Sequence, residues 1–404
     1  MDRRAVTSLL SLEEAQARLL ALAPQRPSSV MGLLPFDTRR YLARDITARR
    51  TQPAADLSAM DGYAVAPGPG PWQRVGESRA GVPFGGALAH DQCVRISTGA
   101  VLPEGAESIV LQEDAAISGD MVTATEPPSA GRHIRRAGFD FREGDVILER
   151  GTAWSPAVLA LAAAAGHAQL PWTEPPSVAV LDSGDELVAP GAPCAAHQIP
   201  ASNGLMLGAM LYPYVGMVDS LGPVTDDRMA LAAALERAED SHILVTSGGA
   251  SVGDHDLIQQ ALKDWGAKID FWRVAIKPGK PLMVATRPSR SGPDLVILGL
   301  PGNPVSSFVT AFLFALPLVR ASMGDPHPLP RTITMIAGED LPPTERRREF
   351  LRAVIEGDRV RLAGSQDSSA LAALAQADCL IDRPAGAPAA KAGDRVPVFC
   401  LRNG

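Results

Sequence analysis

Carboxylates, lysines and glycine loops recur at places where strand-like runs end, and their types suit the handling of a multiply charged anion. After Ser177-Val-Ala-Val-Leu181 come Asp182, Ser183, Gly184, Asp185 and Glu186; after His242-Ile-Leu-Val-Thr246 come Ser247, Gly248, Gly249, Ala250, Ser251, Val252, Gly253, Asp254, His255 and Asp256. The run 268–276 is followed by Lys277, Pro278, Gly279, Lys280 and Pro281, and the run 295–300 by Pro301, Gly302, Asn303 and Pro304. Glycines there let backbone N–H groups approach phosphate oxygens, and a helix starting just afterwards adds the positive end of its dipole. Taken singly, a glycine-rich loop after a strand is more often a tight turn. Two such loops in one sheet, with two lysines between them, favour an anion site. Alone, Lys277 and Lys280 read equally well as a solvated basic turn.

Asp185, Glu186, Asp226, Asp227, Asp254 and Asp256 would repel a polyanion unless a hard cation lies between them, and Mg²⁺ binds carboxylate and phosphate oxygens together. Asp226 or Asp227 also suits a helix cap, as does Asp254. Glu186 and Asp256 have no such alternative. Met60-Asp-Gly-Tyr-Ala64 and Ser97-Thr-Gly99 read as turns, Arg132, Arg135 and Arg136 near Asp140 as a surface patch, and His167, His197 and His242 as structural.

The elements that would carry these groups change in rhythm along the chain. From about 50 to 150, short β-like runs (93–96, 108–111, 121–124, 145–148) alternate with Gly/Pro turns. Beginning at Ser177, apolar runs alternate with helical patterns after Asn203, after Asp227, over 256–265 and from Pro304 to about Ser322. Continuous apolar strands between helices predict a parallel α/β sheet covered on both faces. Beyond the Pro-rich stretch 326–330, β-like runs return at 332–336, 350–354 and 396–401. Ser11 with Glu14 predicts a capping box opening a helix through Leu20, and Ser155 with Pro156 predicts a short buried helix ending at Gly166.

With 404 residues, a core of 46% hydrophobic residues and 37 Gly with 35 Pro, the chain is a globular protein of about three or four domains. A net charge of −7 excludes a general nucleic-acid or anionic-membrane binder. No apolar run approaches the roughly 20 residues that span a bilayer, and no signal-peptide core opens the chain. Cys93, Cys194, Cys379 and Cys400 have no metal-ligand or disulfide spacing, so reduced thiols and a cytoplasmic location are expected.

Taken together, several loops resemble one family. SAMDGYAV (58–65), ISTGAVLPEGAESIV (96–110), SGDEL (183–187), SNGLML (202–207), VTDD (224–227), SGGASVGDHD (247–256), AIKPGKP (275–281) and GLPGNPVS (299–306) are similar, in order, to the MoeA-type molybdopterin molybdenumtransferases, which include the E-type domain of gephyrin. The resemblance implies an α/β multidomain fold. An elongated linking and dimerisation domain would comprise 1–46 and 147–176, with a β-rich domain inserted at 47–146. A parallel-sheet, MogA-like molybdopterin-binding domain would span 177–329 and a C-terminal β-barrel domain 330–404.

The resemblance further implies a homodimer that inserts molybdate into adenylylated molybdopterin with Mg²⁺ and releases AMP. A molybdopterin adenylyltransferase would act upstream and molybdoenzyme maturation factors downstream, without nucleic acid or membrane. Carried over by position, Asp61, Thr98, Glu186, Asp226, Asp256, Lys277 and Lys280 are catalytic candidates, with Glu186, Asp226 and Asp256 placing the metal. Asp140, Ser247, Gly248, Gly249, Ser251, Gly253, Pro301, Gly302, Asn303, Pro304, Arg352 and Ser368 would bind substrate, and Asp61 with Thr98 would reach in from a partner subunit. Arg348 and Arg352 are expected to form a basic patch facing Ser368. The chain departs from the family pattern at Asp182 and Ser183, where Ser/Thr then Thr is common, at Gln366-Asp-Ser-Ser369 in place of Gln-Gly-Ser-Gly, and at Asp378-Cys379 in place of Asn-Gly. The same features leave three alternatives: a MogA-like adenylyltransferase, a non-enzymatic scaffold, and a tungstate-preferring variant.

Overall fold

A computed structural model describes residues 9–34, 39–248, 257–289 and 292–401. Contacts divide the chain into two units, Val30–Thr38 with Arg44–Pro171, and Met1–Ser29 with Arg39–Ala43 and Trp172–Gly404.

The chain opens in helix α1, Leu12–Leu20. Ser11 caps it, its hydroxyl accepting from the Glu14 N–H at 3.1 Å, and Leu12, Ala15, Gln16 and Leu19 form the buried stripe. The smaller unit is built on a six-stranded sheet of β1 (Gly62–Val65), β2 (Trp72–Ser78), β3 (Gln92–Ile96), β4 (Ser108–Leu111), β5 (Ala115–Ser118) and β6 (Met121–Ala124). Its order is β4-β1-β3-β2-β6-β5. Strand β1 lies inside the sheet, one place from its edge, buried along its whole length and paired on both sides in antiparallel register. Gly62 is forced there, because a Cβ would sit 2.0 Å from the Val110 carbonyl oxygen of β4.

Helix α2, Pro156–Ala164, has the expected cap, Ser155 accepting from the Val158 N–H. It is not the buried helix the composition predicts. Only Leu159 and Ala162 are buried, and Ala157, Ala160, Ala163 and Ala164 face outward. Alanine is so small that an alanine-rich run is apolar by composition without demanding burial on every face.

The larger unit holds a second six-stranded sheet: β7 (Val178–Asp182), β8 (Val218–Ser220), β9 (Ile243–Ser247), β10 (Lys268–Arg273), then β12 (Pro281–Arg287) and β13 (Leu295–Leu300), with a two-residue strand β11 (Ile276–Lys277) between β10 and β12 that belongs elsewhere. The order is β8-β7-β9-β13-β12-β10. Four strands, β8, β7, β9 and β13, pair in parallel as expected, but β12 runs antiparallel to both β13 and β10, so the sheet is mixed. Residues 281–287 form a strand that the periodicity did not single out, because it follows the Pro-Gly turn at once and no helix separates it from β10.

Alternate side chains of the buried strands go to opposite layers. Val178, Val180, Ile243, Val245, Val296 and Leu298 pack with α1, α3 (Asn203–Val215) and the helix α6 described next. Ala179, Leu181, Leu244 and Ile297 pack with α4 (Arg228–Arg237) and α5 (Leu257–Asp264).

Helix α6 runs Pro304–Ser322, 19 residues long, and its length and composition would suit a membrane span. That corrects the expectation that no segment approaches this length, and 83% of its most apolar window is buried inside the chain, as the core helix of a layered sheet requires. A π-turn over Ala311–Ala315 precedes Pro317, whose missing N–H frees the Leu313 carbonyl four residues back. The Gln16 amide of α1 donates to that carbonyl at 2.9 Å, which accounts for a buried glutamine on an otherwise apolar stripe.

The C-terminal strands β14 (Thr332–Ala337), β15 (Arg348–Glu356), β16 (Arg359–Leu362), β17 (Cys379–Arg383) and β18 (Arg395–Cys400) pair in the order β15-β16-β14-β18-β17. Because β17 returns to pair with β15, five strands close into a barrel and no edge of it is left open. Its interior is filled by residues such as Val360, Ile381, Val396 and Val398. Outside it, Phe399 meets Phe312 of α6 edge-on, ring centroids 5.9 Å apart, so barrel and sheet share one core.

Candidate functional site

Strand registers fix which loops share an edge. The carboxyl ends of β7, β9 and β13 coincide at Asp182, Ser247 and Leu300. Antiparallel pairing brings the start of β12 and the end of β10 to the same margin, with Arg273 opposite Pro281. The Asp182–Glu186 loop, the start of the glycine loop, the Lys277–Lys280 turn and the Pro301–Pro304 loop therefore leave one edge of the sheet, where open α/β sheets bind ligands.

The chain then laces these loops together. Gly184 N–H donates to the Val224 carbonyl and Val224 N–H to the Asp182 carbonyl, at 3.0 and 2.9 Å. Asp226 N–H donates to the Asp185 carboxylate at 3.0 Å, so the loops bearing Glu186 and Asp226 lie side by side. Glu186 is exposed and folds over Gly184, where a Cβ would lie 2.5 Å from Oε2. Asp227 is the helix cap of the pair, accepting from Met229 and Ala230 N–H at the start of α4. Gly249, Ser251, Gly253 and Asp256 lie outside the described residues. Among those described, no three metal-ligating side chains converge.

At the centre of this edge stands Asn203, the first residue of α3. Its Nδ2 donates to Ser247 Oγ at 2.8 Å and to the Gly302 carbonyl at 2.7 Å, tying the glycine loop to the Pro301–Pro304 loop. Asp182, 4% exposed, accepts from Gly204 N–H at 2.6 Å, and burial raises its carboxyl pKa against the lowering effect of hydrogen bonds from Gly204 and Ser247. Gly248 is held with φ +97° and donates to the Leu300 carbonyl.

Across the same margin lies a cavity of about 470 Å³, walled by the Lys277–Gly279 turn, Ser306 of α6, and Arg347, Glu349, Gln366 and Ser368 of the barrel. Strand β11 pairs in parallel with the first residues of β15, aligning Lys277 with Glu349, and the ammonium rests 3.1 Å from the Glu349 carboxylate. Asn303, at the N-cap position of α6, leaves that helix uncapped by its side chain and donates instead to Ser368 Oγ at 2.9 Å. Gly279, with φ +103°, lies so close to α6 that a Cβ would be 2.4 Å from Thr310 Oγ1. Lys280 is exposed and does not line the cavity.

The basic patch expected of Arg348 and Arg352 does not form. Arg348 is forked onto the Asp382 carboxylate at 2.6 and 2.5 Å and also reaches Glu13. Arg352 is fully buried and donates to the Ser365 and Asp367 carbonyls, and burial lowers its pKa. Alternation along β15 turns both side chains to partners rather than to solvent, so Arg352 shapes the loop carrying Ser368 instead of offering it a charge. The added carboxylate of that loop, Asp367, is occupied by the N–H and hydroxyl of Ser369, which hold its pKa low.

In the smaller unit, Asp61 accepts from Thr98 N–H at 2.6 Å and from Thr98 Oγ1 at 3.0 Å, and these bonds lower its pKa. Asp61 ends the turn before β1 and Thr98 follows β3, so antiparallel pairing of those strands brings them together. Asp140 is exposed in the same unit, its N–H bound to the Gln52 carbonyl. Sequence reasoning missed Asn203, Ser306, Arg347, Glu349 and Gln366. Asn203 stood within a quoted motif, but nothing local marks its amide as a bridge between two distant loops.

Residues 10–166 match the MoeA N-terminal region (domain I and II), 179–321 the probable molybdopterin binding domain, and 334–401 the MoeA C-terminal region (domain IV). The chain is 32% identical over 92% of its length to the molybdopterin molybdenumtransferase of Haemophilus influenzae, covering 94% of that protein. It is 34% identical to molybdopterin molybdenumtransferase 2 of Mycobacterium tuberculosis, over 89% of this chain and 92% of the relative. A crystal structure of the molybdopterin biosynthesis moea protein from Pyrococcus horikosii superposes with a TM-score of 0.79 at 25% identity, covering 97% of this chain and 99% of that one.

Proposed function

The chain belongs to the molybdopterin molybdenumtransferase family, transferases of molybdenum cofactor biosynthesis, and from that premise we propose how its sheet edge works. It takes adenylylated molybdopterin and molybdate, and releases AMP as the dithiolene captures molybdenum. The observation that carries this reading is the Asn303–Ser368 hydrogen bond, which sets the Pro301–Pro304 loop beside a cavity holding Lys277, Arg347 and the hydroxyl-bearing Ser306 and Ser368. Cations and small donors suit an oxyanion with oxygens on every side. Two carboxylates, Glu349 and Asp367, share that wall, and Glu349 pairs with Lys277, so an arriving oxyanion must draw the Lys277 ammonium away from Glu349.

Gly302 and Asn303 of the loop after β13 would supply N–H donors to the phosphate, whereas the Gly248 N–H and the Ser247 hydroxyl, expected as donors, are already committed to Leu300 and to Asp182; Lys277 with Lys280 would offset its charge together with that of molybdate. Mg²⁺ commonly uses one or two carboxylates plus phosphate oxygens, and exposed Glu186 and Asp226 on laced loops fit that mode, with Asp256 a third candidate. Bound there, the ion would polarise the phosphate being cleaved. Asp61 with Thr98, contributed by the partner subunit of a homodimer, would orient the pterin or molybdate, and Asp140 is retained as a substrate-binding position. Each oxo group that molybdate sheds as water takes two protons, which the dithiol can provide while nearby cations stabilise the transferred charge. A molybdopterin adenylyltransferase would supply the substrate and molybdoenzyme maturation factors would receive the product, in the cytoplasm.

Incubation with adenylylated molybdopterin, molybdate and Mg²⁺ should yield AMP and pterin-bound molybdenum without ATP consumption. Lys277→Ala should abolish molybdate-dependent AMP release. Undiminished turnover in that variant removes the anion-clamp role, and ATP consumption would point to an adenylyltransferase instead.

A further inference from the structure

Two of the four cysteines, separated by 20 residues in sequence, face each other across the barrel. Cys379 begins β17, Cys400 ends β18, and the antiparallel register aligns them directly. Leu401 N–H donates to the Asp378 carbonyl at 2.9 Å, one residue beyond the pair on each strand, which makes Cys379 and Cys400 a non-hydrogen-bonded pair. Such pairs are the closest in a sheet, with Cα atoms about 4.5 Å apart, inside the roughly 4.4–6.8 Å window that a disulfide spans. Directly opposed residues also point to the same face. Here that is the barrel interior, where Cys379 packs with Ile381, Val396 and Val398.

We propose that Cys379 and Cys400 form a reversible disulfide that fastens the last strand of the barrel to its neighbour. Both thiols are free in the structure, and they differ in access: Cys379 is buried and Cys400 half-exposed. Burial pushes the Cys379 thiol up to about 12, with Cys400 and Asp378 contributing, so Cys379 is a poor first nucleophile. Cys400 therefore reacts first. Its thiolate attacks a low-molecular-weight disulfide, forming a mixed disulfide and expelling one thiolate. The Cys379 thiol then attacks the Cys400 sulfur and expels the second small thiolate, which carries away the Cys379 proton as it leaves. Two protein thiols are oxidised by two electrons while the small disulfide is reduced to two thiols. The bond joins residues otherwise held only by strand pairing, and β17 also pairs with β15, which carries Glu349 into the cavity wall.

The test uses the full chain bearing Cys194→Ser, which removes an exposed thiol that would react on its own. After folded protein is treated with oxidised glutathione and then unfolded in urea under acid quench, the thiols that titrate should fall from three to one. Peptide mapping should join the Cys379 and Cys400 peptides without retained glutathione. The urea midpoint should rise and return to its starting value with dithiothreitol. Adding Cys400→Ser should remove the cross-link and the shift together. A lasting single glutathione on Cys400 with Cys379 still titratable overturns the proposal. So does failure of either thiol to react under conditions that oxidise the urea-unfolded chain, a result that leaves the transferase reading untouched.

Discussion

Gly279→Ala tests whether the lysine turn is held by the backbone conformation that only glycine takes easily. Two costs follow from its geometry. At φ +103° an L-residue sits outside its ordinary regions, a strain of about 1–3 kcal/mol. The new Cβ would also fall 2.4 Å from Thr310 Oγ1, on a helix residue that is fully buried, and overpacking of this kind costs about 1–3 kcal/mol. Relaxation of one relieves part of the other, so the sum should come to about 2–4 kcal/mol rather than the full total. Thr310→Ala in the same chain separates them, because removing the hydroxyl relieves the contact and leaves the dihedral strain. Urea unfolding of the two single variants and the double variant gives the coupling, and molybdate-dependent AMP release gives the consequence for Lys277 and Lys280. The double variant should recover about half of the stability lost and less of the activity. If Gly279→Ala unfolds within about 0.5 kcal/mol of the parent and turns over at the parental rate, the turn adapts freely and its geometry does not matter.

Replacing Gln16 by Leu should destabilise the larger unit by about 1–3 kcal/mol, because the Leu313 carbonyl freed by Pro317 loses its donor in the core; an unchanged urea midpoint would refute this. Arg352→Met should leave the Ser365 and Asp367 carbonyls without their shared donor and increase amide hydrogen exchange over 365–369, whereas unchanged exchange would restore a purely electrostatic role for the arginine. Thr98→Val should raise the Asp61 pKa toward the ordinary carboxylate value by removing one of two donors, read by NMR titration. Since the folded-state pKa is depressed, the stabilising effect exists above the unfolded-state value and fades as pH falls through the folded one, so acid should narrow the difference between variant and parent. Mixed dimers of Asp61→Ala and Glu186→Ala chains should regain part of the activity that each homodimer lacks, and no recovery would place each site within one subunit.

Local physics was legible in the residues themselves. Ser11 and Ser155 announced helix starts, and Asp226-Asp227 a third without deciding which of the two caps it, because a capping side chain bonds to the next turn and to nothing further away. The buried strands β7, β9 and β13 were legible as apolar runs because layers on both faces favour apolar side chains until the strand ends, where Asp182, Thr246 and Ser247 stand. The loops after them could be suspected as a site, since strand ends in such sheets share an edge. What the sequence could not decide was pairing. Whether 281–287 joins the sheet, and in which direction, depends on partners that a short apolar run does not specify. Barrel closure likewise rests on β17 meeting β15, about 30 residues away. The same limit explains the arginines: Arg348 and Arg352 read as available charge until register set Asp382 against one and a loop's carbonyls against the other. Asn203 bridging Ser247 and Gly302, and Cys379 facing Cys400, are contacts between residues 20 or more apart, created only when strands settle into register.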